Sequence, residues 1–236
     1  MESWIETNCA VYMSRTAHNS NIVYRRAQPA DRAFLAQTII EADQSGTERS
    51  AYGVLLNLNR YELTSLFIQI FDLEIAGFEF DENSFIVAEK DGEPVGACAT
   101  WVESADGVPS WNKRILCFRE LLPLNNYDHF RQLIEKGGGL LPPRSPRAAQ
   151  LESVYVVEKC RGMGILSGMW SRQVADIQTS HPDVQAFQVI TYANNDRAIH
   201  SYQKLGFVSR SKTSISAPEL VNQLPFSEMV LMEKKV

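Results

Sequence analysis

The stretch Val154-Tyr-Val-Val-Glu-Lys-Cys-Arg-Gly-Met-Gly-Ile-Leu-Ser-Gly-Met-Trp170 decides how the chain is read. A β-branched apolar run stops at Glu158-Lys159-Cys160. A short glycine-bearing segment follows, and from Ile165 the pattern turns helical. A glycine turn between strand and helix lets several backbone N–H groups point into one concavity. The helix adds its positive N-terminal end, so the place suits phosphate oxygens, and Arg161 adds a charge-assisted donor. A Walker loop requires a Lys-Ser/Thr pair that is absent, and the dinucleotide fingerprint requires glycines at spacings not present. A metal at Cys160 lacks partners at ligand spacing. Glycine used only to turn tightly into a helix remains the alternative on this segment alone.

Composition narrows the class. With 236 residues, 44% of them hydrophobic, the chain has ample material for a packed core. Its net charge of −5 gives no overall basic field to draw nucleic acid or an anionic membrane. The four cysteines, Cys9, Cys98, Cys117 and Cys160, stand far apart without a CxxC pair. That spacing disfavours a zinc site and a disulfide framework and fits a reducing compartment. No secretory signal and no run of the roughly 20 apolar residues that span a bilayer is visible, so the expectation is a soluble, cytoplasmic protein.

Outward from the opening stretch, Ile22–Gln28 reads as a strand, and Pro29-Ala30-Asp31 opens a helix carrying Phe34, Leu35, Thr38, Ile39 and Ala42. Ala51–Leu73 reads as one helix. Ser84–Lys90 and Pro94–Ser104 flank Asp91-Gly92, a pair that readily adopts the positive φ angles of a tight hairpin. Residues 105–150 break the rhythm: helices are expected over Trp111–Leu121 and Tyr127–Lys136, then a Gly- and Pro-rich loop. So long a connection suggests a functional segment; covering a sheet face or forming a homodimer contact are the alternatives. A strand over Leu151–Val157, a helix over Ile165–Ser180, a strand over Val184–Ala193, a helix over Asn195–Leu205 and two last strands complete the pass. The expected organisation is a flexible arm over 1–21, then one α/β domain over 22–236 with an insertion at about 105–150.

A second constellation is Asn195-Asp-Arg-Ala198-Ile-His-Ser-Tyr202-Gln-Lys-Leu-Gly206-Phe207. Asn194 or Asn195 reads as an N-cap and Gly206 as the left-handed stop. Asn195, Ala198, Tyr202 and Leu205 share one helix face. Taken alone, this is an ordinary amphipathic helix with a half-buried tyrosine.

Together the two segments resemble the GNAT superfamily of acyl-CoA-dependent N-acyltransferases. The motifs are Arg161-Gly162-Met163-Gly164-Ile165-Leu166, and Asn195 with Ala198, Tyr202, Gly206 and Phe207; their order and the strand between them also match. The resemblance covers roughly 22–104 and 151–236. It implies a mixed central sheet of about six to seven strands flanked by helices, splayed between the two strands around the loop–helix unit. It further implies an N-acetyltransferase using acetyl-CoA, without metal, to acetylate a primary amine of a small molecule or peptide by direct attack in a ternary complex. The coenzyme pyrophosphate would lie on the amides of Gly162, Met163, Gly164, Ile165, Leu166 and Ser167, beside Arg161. The pantetheine arm would follow Val154, Tyr155 and Val156, with an amide there polarising the acyl carbonyl. Asn195 would bond the pantetheine or hold the strand end, and Tyr202 would act as general acid to the thiolate.

Some family members place a glutamate base five residues before the asparagine; here Ile190 stands there. Glu152, expected on the same strand face as Val154 and Val156, and Glu103, at the end of the hairpin strand, are the substitutes. Leu166, where the family prefers Gly or Ala, is expected to crowd the loop. A GNAT fold that binds acyl-CoA without turnover is the alternative function.

Overall fold

The computed structural model describes residues 22–137 and 141–236; the expected arm over 1–21 lies outside them. Seven strands form one sheet in the order β1-β2-β3-β4-β5-β7-β6. They are β1 (Ile22–Arg26), β2 (Phe85–Lys90), β3 (Glu93–Val102), β4 (Ala149–Val156), β5 (Ala186–Tyr192), β6 (Val208–Ser214) and β7 (Glu228–Lys235). All neighbours pair antiparallel except β4 and β5, which are parallel. A parallel pair needs a crossover, and the long helix after the glycine loop supplies it. The hairpin between β2 and β3 turns as expected, with Asp91 at φ 55° and Gly92 at φ 84°.

The helices are α1 (Arg32–Gln44), α2 (Ala51–Leu56), α3 (Arg60–Asp72), α4 (Ser110–Leu121), α5 (Leu124–Gly137), α6 (Ile165–Ser180), α7 (Asp196–Lys204) and α8 (Pro218–Val221). The single helix expected over Ala51–Leu73 is two. Asn57 takes the left-handed conformation (φ 53°) and ends α2. Asn59 then caps α3 with a reciprocal bond to Glu62. The apolar periodicity runs through this break because both helices bury the same side, so only the two asparagines mark it.

Strand alternation divides the core. Phe85, Val87, Ala97 and Ala99 face α1, α3, α4 and α5. Ile86, Ala88, Cys98 and Val102 face α6 and α7. Both sheet faces are covered, which is why β2 reads as a continuous apolar run. The outer strand β6 is almost wholly exposed and carries Arg210 and Lys212, charges that suit an unpaired edge.

The first turn of α6 is held close to β1. A Cβ built on Gly168 would lie 2.0 Å from the Tyr24 ring, so glycine is what lets the ring seat there. Gly168→Ala must displace Tyr24 and is expected to cost about 1–3 kcal/mol, the usual penalty of overpacking. Denaturant unfolding checks it, and the double variant with Tyr24→Ala is expected to recover part of the loss.

Candidate active site

The parallel ladder between β4 and β5 is short. Ala149, Gln150 and Leu151 pair with Phe187, Gln188 and Val189, and beyond them no β4–β5 pairing continues. The cause lies within β4. Ser153 takes φ 50°, and the register against β3 slips so that Ser153 and Val154 together oppose Cys98. This bulge also reverses the strand's faces. Val154 and Val156 lean on the α6–α7 side of the core. Tyr155 leans the other way, its ring 6.4 Å from that of Phe34. Glu152 opposes Ala99 as Tyr155 opposes Ala97, so it shares Tyr155's face and not that of Val154 and Val156, contrary to the alternation expected from sequence.

A cavity of about 560 Å³ opens where the strands part. Glu152, Ser153 and Val154 of β4, Ile190 and Tyr192 of β5, and Ala198 and Tyr202 of α7 line it, with Asn195 at the α7 start. Its far walls come from α1, α2 and the segment between β3 and β4. Of the aromatic residues in that segment, Trp111, Phe118 and Phe130 line the cavity. Tyr127 packs behind them, 6.4 Å from the Phe130 ring.

At the other end of the split stands the glycine loop. Gly162 and Gly164 have φ of 80° and 77°, a region that costs an L-residue strain, and Gly164 occupies the N-cap of α6. A Cβ at either would meet nothing within 4 Å, so the loop is open as well as left-handed. The N–H groups of Gly162 through Ser167 donate to no backbone acceptor among the described residues. They form a nest at a helix N-terminus. Arg161 is exposed and its Nε donates to the Val156 carbonyl at 3.1 Å, tying the loop to the end of β4. Met163 is exposed, Ile165 is buried, and Leu166 packs against the α6–α7 core.

Both ends of the Asn195 amide bond within the protein. Its Oδ1 accepts from Ala198 N–H at 3.1 Å, capping α7, and its Nδ2 donates to Ser45 Oγ beyond the end of α1. Seven residues on, Tyr202 is buried against Phe207, with ring centroids 6.1 Å apart. Burial, with the nearby Cys98 thiol, pushes its phenol above the ordinary range, so it stays protonated. Tyr202 lines the cavity.

In the cavity wall lies a charge network that sequence alone did not reveal. Arg114, stacked near Trp111, Phe80 and Tyr52, pairs with the fully buried Glu79. Arg144 lies 5.0 Å from the Trp101 ring, pairs with Glu152, and donates to Ser110 Oγ at 2.8 Å. Ser110 passes the connection on, since its Oγ and N–H donate to Glu103 at 2.6 and 2.9 Å. Burial alone would raise the Glu103 carboxyl. The Ser110 donors, the Arg144 charge and Trp101 more than offset it and hold the group below the ordinary carboxylate range.

The family model described as "Acetyltransferase (GNAT) family" matches residues 55–207. The chain belongs to the GNAT acetyltransferase family. GNAT structures share its fold at low identity. An N-acetyltransferase from Staphylococcus aureus Mu50 is 17% identical, with TM-score 0.59, covering 90% of this chain and all (100%) of that one. Ard1 from Thermoplasma volcanium is 15% identical, with TM-score 0.51 and coverage of 91% and 97%. The structure of yncA from Salmonella typhimurium with its cofactor acetyl-CoA is 14% identical, with TM-score 0.50 and coverage of 92% and 94%. No curated protein sequence matches the chain. GNAT enzymes use acetyl-CoA and act on amine acceptors. The open, unpaired nest at Gly162–Ser167 fits a coenzyme diphosphate. Among the described residues no helix is long and apolar enough to cross a membrane.

One cavity residue went unnoticed in the sequence. Asp43, in the last turn of α1, accepts from Ser50 Oγ, from Tyr52 N–H at 3.1 Å and from Tyr192 Oη at 3.0 Å. Desolvation raises its carboxyl to about 6, against the lowering by these three donors and the Ala51 N–H. A lone aspartate ending an amphipathic helix reads as surface, and only the return of β5 beside α1 gives it this setting.

Ser110→Ala removes the hydroxyl donor to a buried carboxylate and the acceptor that bridges to Arg144, while the backbone N–H to Glu103 stays in place. It is expected to destabilise the fold by about 1–3 kcal/mol. Denaturant titration at neutral pH measures the loss. The Glu103 carboxyl is depressed when folded, so the wild-type advantage is present above the unfolded carboxylate pKa and disappears as pH falls through the folded one.

Proposed function

We propose that this GNAT protein transfers the acetyl group of acetyl-CoA to a primary amine within a ternary complex, with Tyr202 as general acid. The observation carrying this reading is the split between β4 and β5, which joins an open nest of amides at one end to a cavity lined by Tyr202 at the other. In it, the amides of Gly162, Met163, Gly164, Ile165, Leu166 and Ser167 hold the diphosphate, with Arg161 beside them. The unpaired edge of β4 at Val154, Tyr155 and Val156 offers backbone groups to the pantetheine arm.

Acetyl-CoA supplies an acetyl group activated as a thioester, from which an amine displaces the thiol. Tyr202 Oη delivers a proton to the departing sulfur, whose conjugate acid has a pKa of about 8.5, like an ordinary thiol. A buried phenol kept protonated at neutral pH is in the right state to do so. Asn195 is a positioning residue: by capping α7 and binding Ser45 it fixes the helix from which Tyr202 projects. Cys98, Cys117 and Cys160 are buried and none lines the cavity, which favours direct attack over an acyl-cysteine. Glu152 and Glu103, held by Arg144 and Ser110, shape the field of the cavity; neither is poised to take a proton.

These engaged carboxylates and the apolar Ile190 are also what a non-catalytic acyl-CoA-binding module would show. Thiol release from acetyl-CoA with a panel of primary amines separates the two. Release is expected, and coenzyme binding without release from any amine supports the module. Tyr202→Phe is expected to lower kcat on the order of a hundredfold with the KM for acetyl-CoA little changed. Unchanged turnover removes the general-acid role.

A further inference from the structure

The half of the cavity remote from the glycine loop has a composition of its own. Trp111, Phe118 and Phe130 from α4 and α5, Leu55 from α2 and Phe226 before β7 give it apolar, largely aromatic walls. Asp43 stands in the same wall, held by neutral donors: the Ser50 and Tyr192 hydroxyls and the Ala51 and Tyr52 N–H groups. Tyr192 and Tyr52 are the titratable side chains facing it, and burial keeps both phenols neutral.

The charges around the cavity do not balance. Glu79, Glu103 and Glu152 stand against Arg114 and Arg144, leaving one negative charge in excess. Asp43 adds a second, and no described Lys or Arg forms an ion pair with Asp43 or Glu103. A carboxylate withdrawn from water without a cation is costly, and a cationic ligand relieves that cost. The two arginines are already matched by Glu79 and Glu152, so no unmatched positive charge remains for an acceptor's carboxylate. A polyamine would bring its further ammonium groups toward the two buried guanidinium groups of Arg114 and Arg144, a like-charge approach.

We propose that this cavity takes a primary monoamine bearing an apolar, ring-sized tail, its ammonium nitrogen at the Asp43 carboxylate and its tail between Trp111, Phe118, Phe130 and Phe226. The proposal rests on the acetyltransferase reading and names its acceptor class. Asp43 then serves as the base. Of the ammonium's three N–H bonds, one persists in the amide product. One proton passes to an Asp43 carboxylate oxygen and on to water. The other balances the proton that Tyr202 gives to sulfur. The nitrogen forms its bond to the acetyl carbon as the C–S bond breaks, with that electron pair staying on sulfur. A carboxyl raised to about 6 is ionised at neutral pH yet basic enough for the transfer.

Calorimetric titration of the full chain without coenzyme tests this, using 2-phenylethylamine, its neutral isostere 2-phenylethanol, 3-phenylpropanoate and spermidine. The amine is expected to bind at least about tenfold more tightly than each of the other three. Asp43→Asn is expected to remove most of that preference while leaving the affinity for the alcohol unchanged. An alcohol that binds as well as the amine overturns the proposal, as does an Asp43→Asn protein that keeps the preference. If Asp43→Asn does not fold, the four-ligand comparison on the wild type decides alone. Acetyl-CoA is titrated separately. Coenzyme binding without amine preference sinks the acceptor assignment and spares the acetyltransferase reading. Amine preference without coenzyme binding does the reverse.

Discussion

Pairing between β4 and β5 stops after Leu151 and Val189, and the candidate site depends on the backbone left unpaired beyond that point. Buried strands ordinarily satisfy their N–H and C=O groups in the ladder, because leaving them unpaired away from water is costly. Here Ser153, in a left-handed conformation, bulges β4 against β3, and its partner on the other side moves away. The same departure creates the cavity, exposes the β4 edge and leaves the loop before α6 at its mouth. Coenzyme cradle and acceptor pocket are in this sense two ends of one interrupted ladder.

The second constraint is the charge placed against that cavity. Glu79 is fully buried, and Arg114 and Arg144 are nearly so. Such groups contribute little net stability when paired, but removing one partner strands the other. Their effect is to fix geometry. Arg144 ties the segment after α5 to β4 through Glu152, and through Ser110 it ties the start of α4 to Glu103 on the strand side. Among the described residues between β3 and β4, Trp111, Arg114, Phe118, Phe130 and Arg144 are thereby held as a wall of the cavity.

How much of this could be read in the sequence follows from how local each feature is. The Asp91-Gly92 hairpin and the span of α6 were legible, since each rests on turn chemistry or periodicity within a few residues. The loop of Gly162 and Gly164 was legible because only glycine takes that backbone cheaply, and it gained meaning from Asn195 and Tyr202 downstream. The break at Asn57–Asn59 was hidden by an apolar pattern continuous across it. The bulge was invisible, since a serine within Leu151–Val156 carries no local mark, and it moved Glu152 to the other face. Asp43, Arg114 and Arg144 gain their roles from contacts across long stretches of chain. Leu166 looked like an obstruction from its position in the motif; in the structure it is partly buried against the α6–α7 core.

The claim that the loop amides hold a diphosphate at the mouth of the split is tested most directly by comparing coenzyme A with pantetheine, which lacks the nucleotide and its phosphates. In calorimetric titrations at neutral pH, acetyl-CoA and coenzyme A are predicted to bind with dissociation constants below millimolar. Pantetheine is predicted to bind far more weakly, and NAD and ATP no better than pantetheine. Pantetheine binding as tightly as coenzyme A, or no binding of either form of the coenzyme below millimolar, would contradict the account.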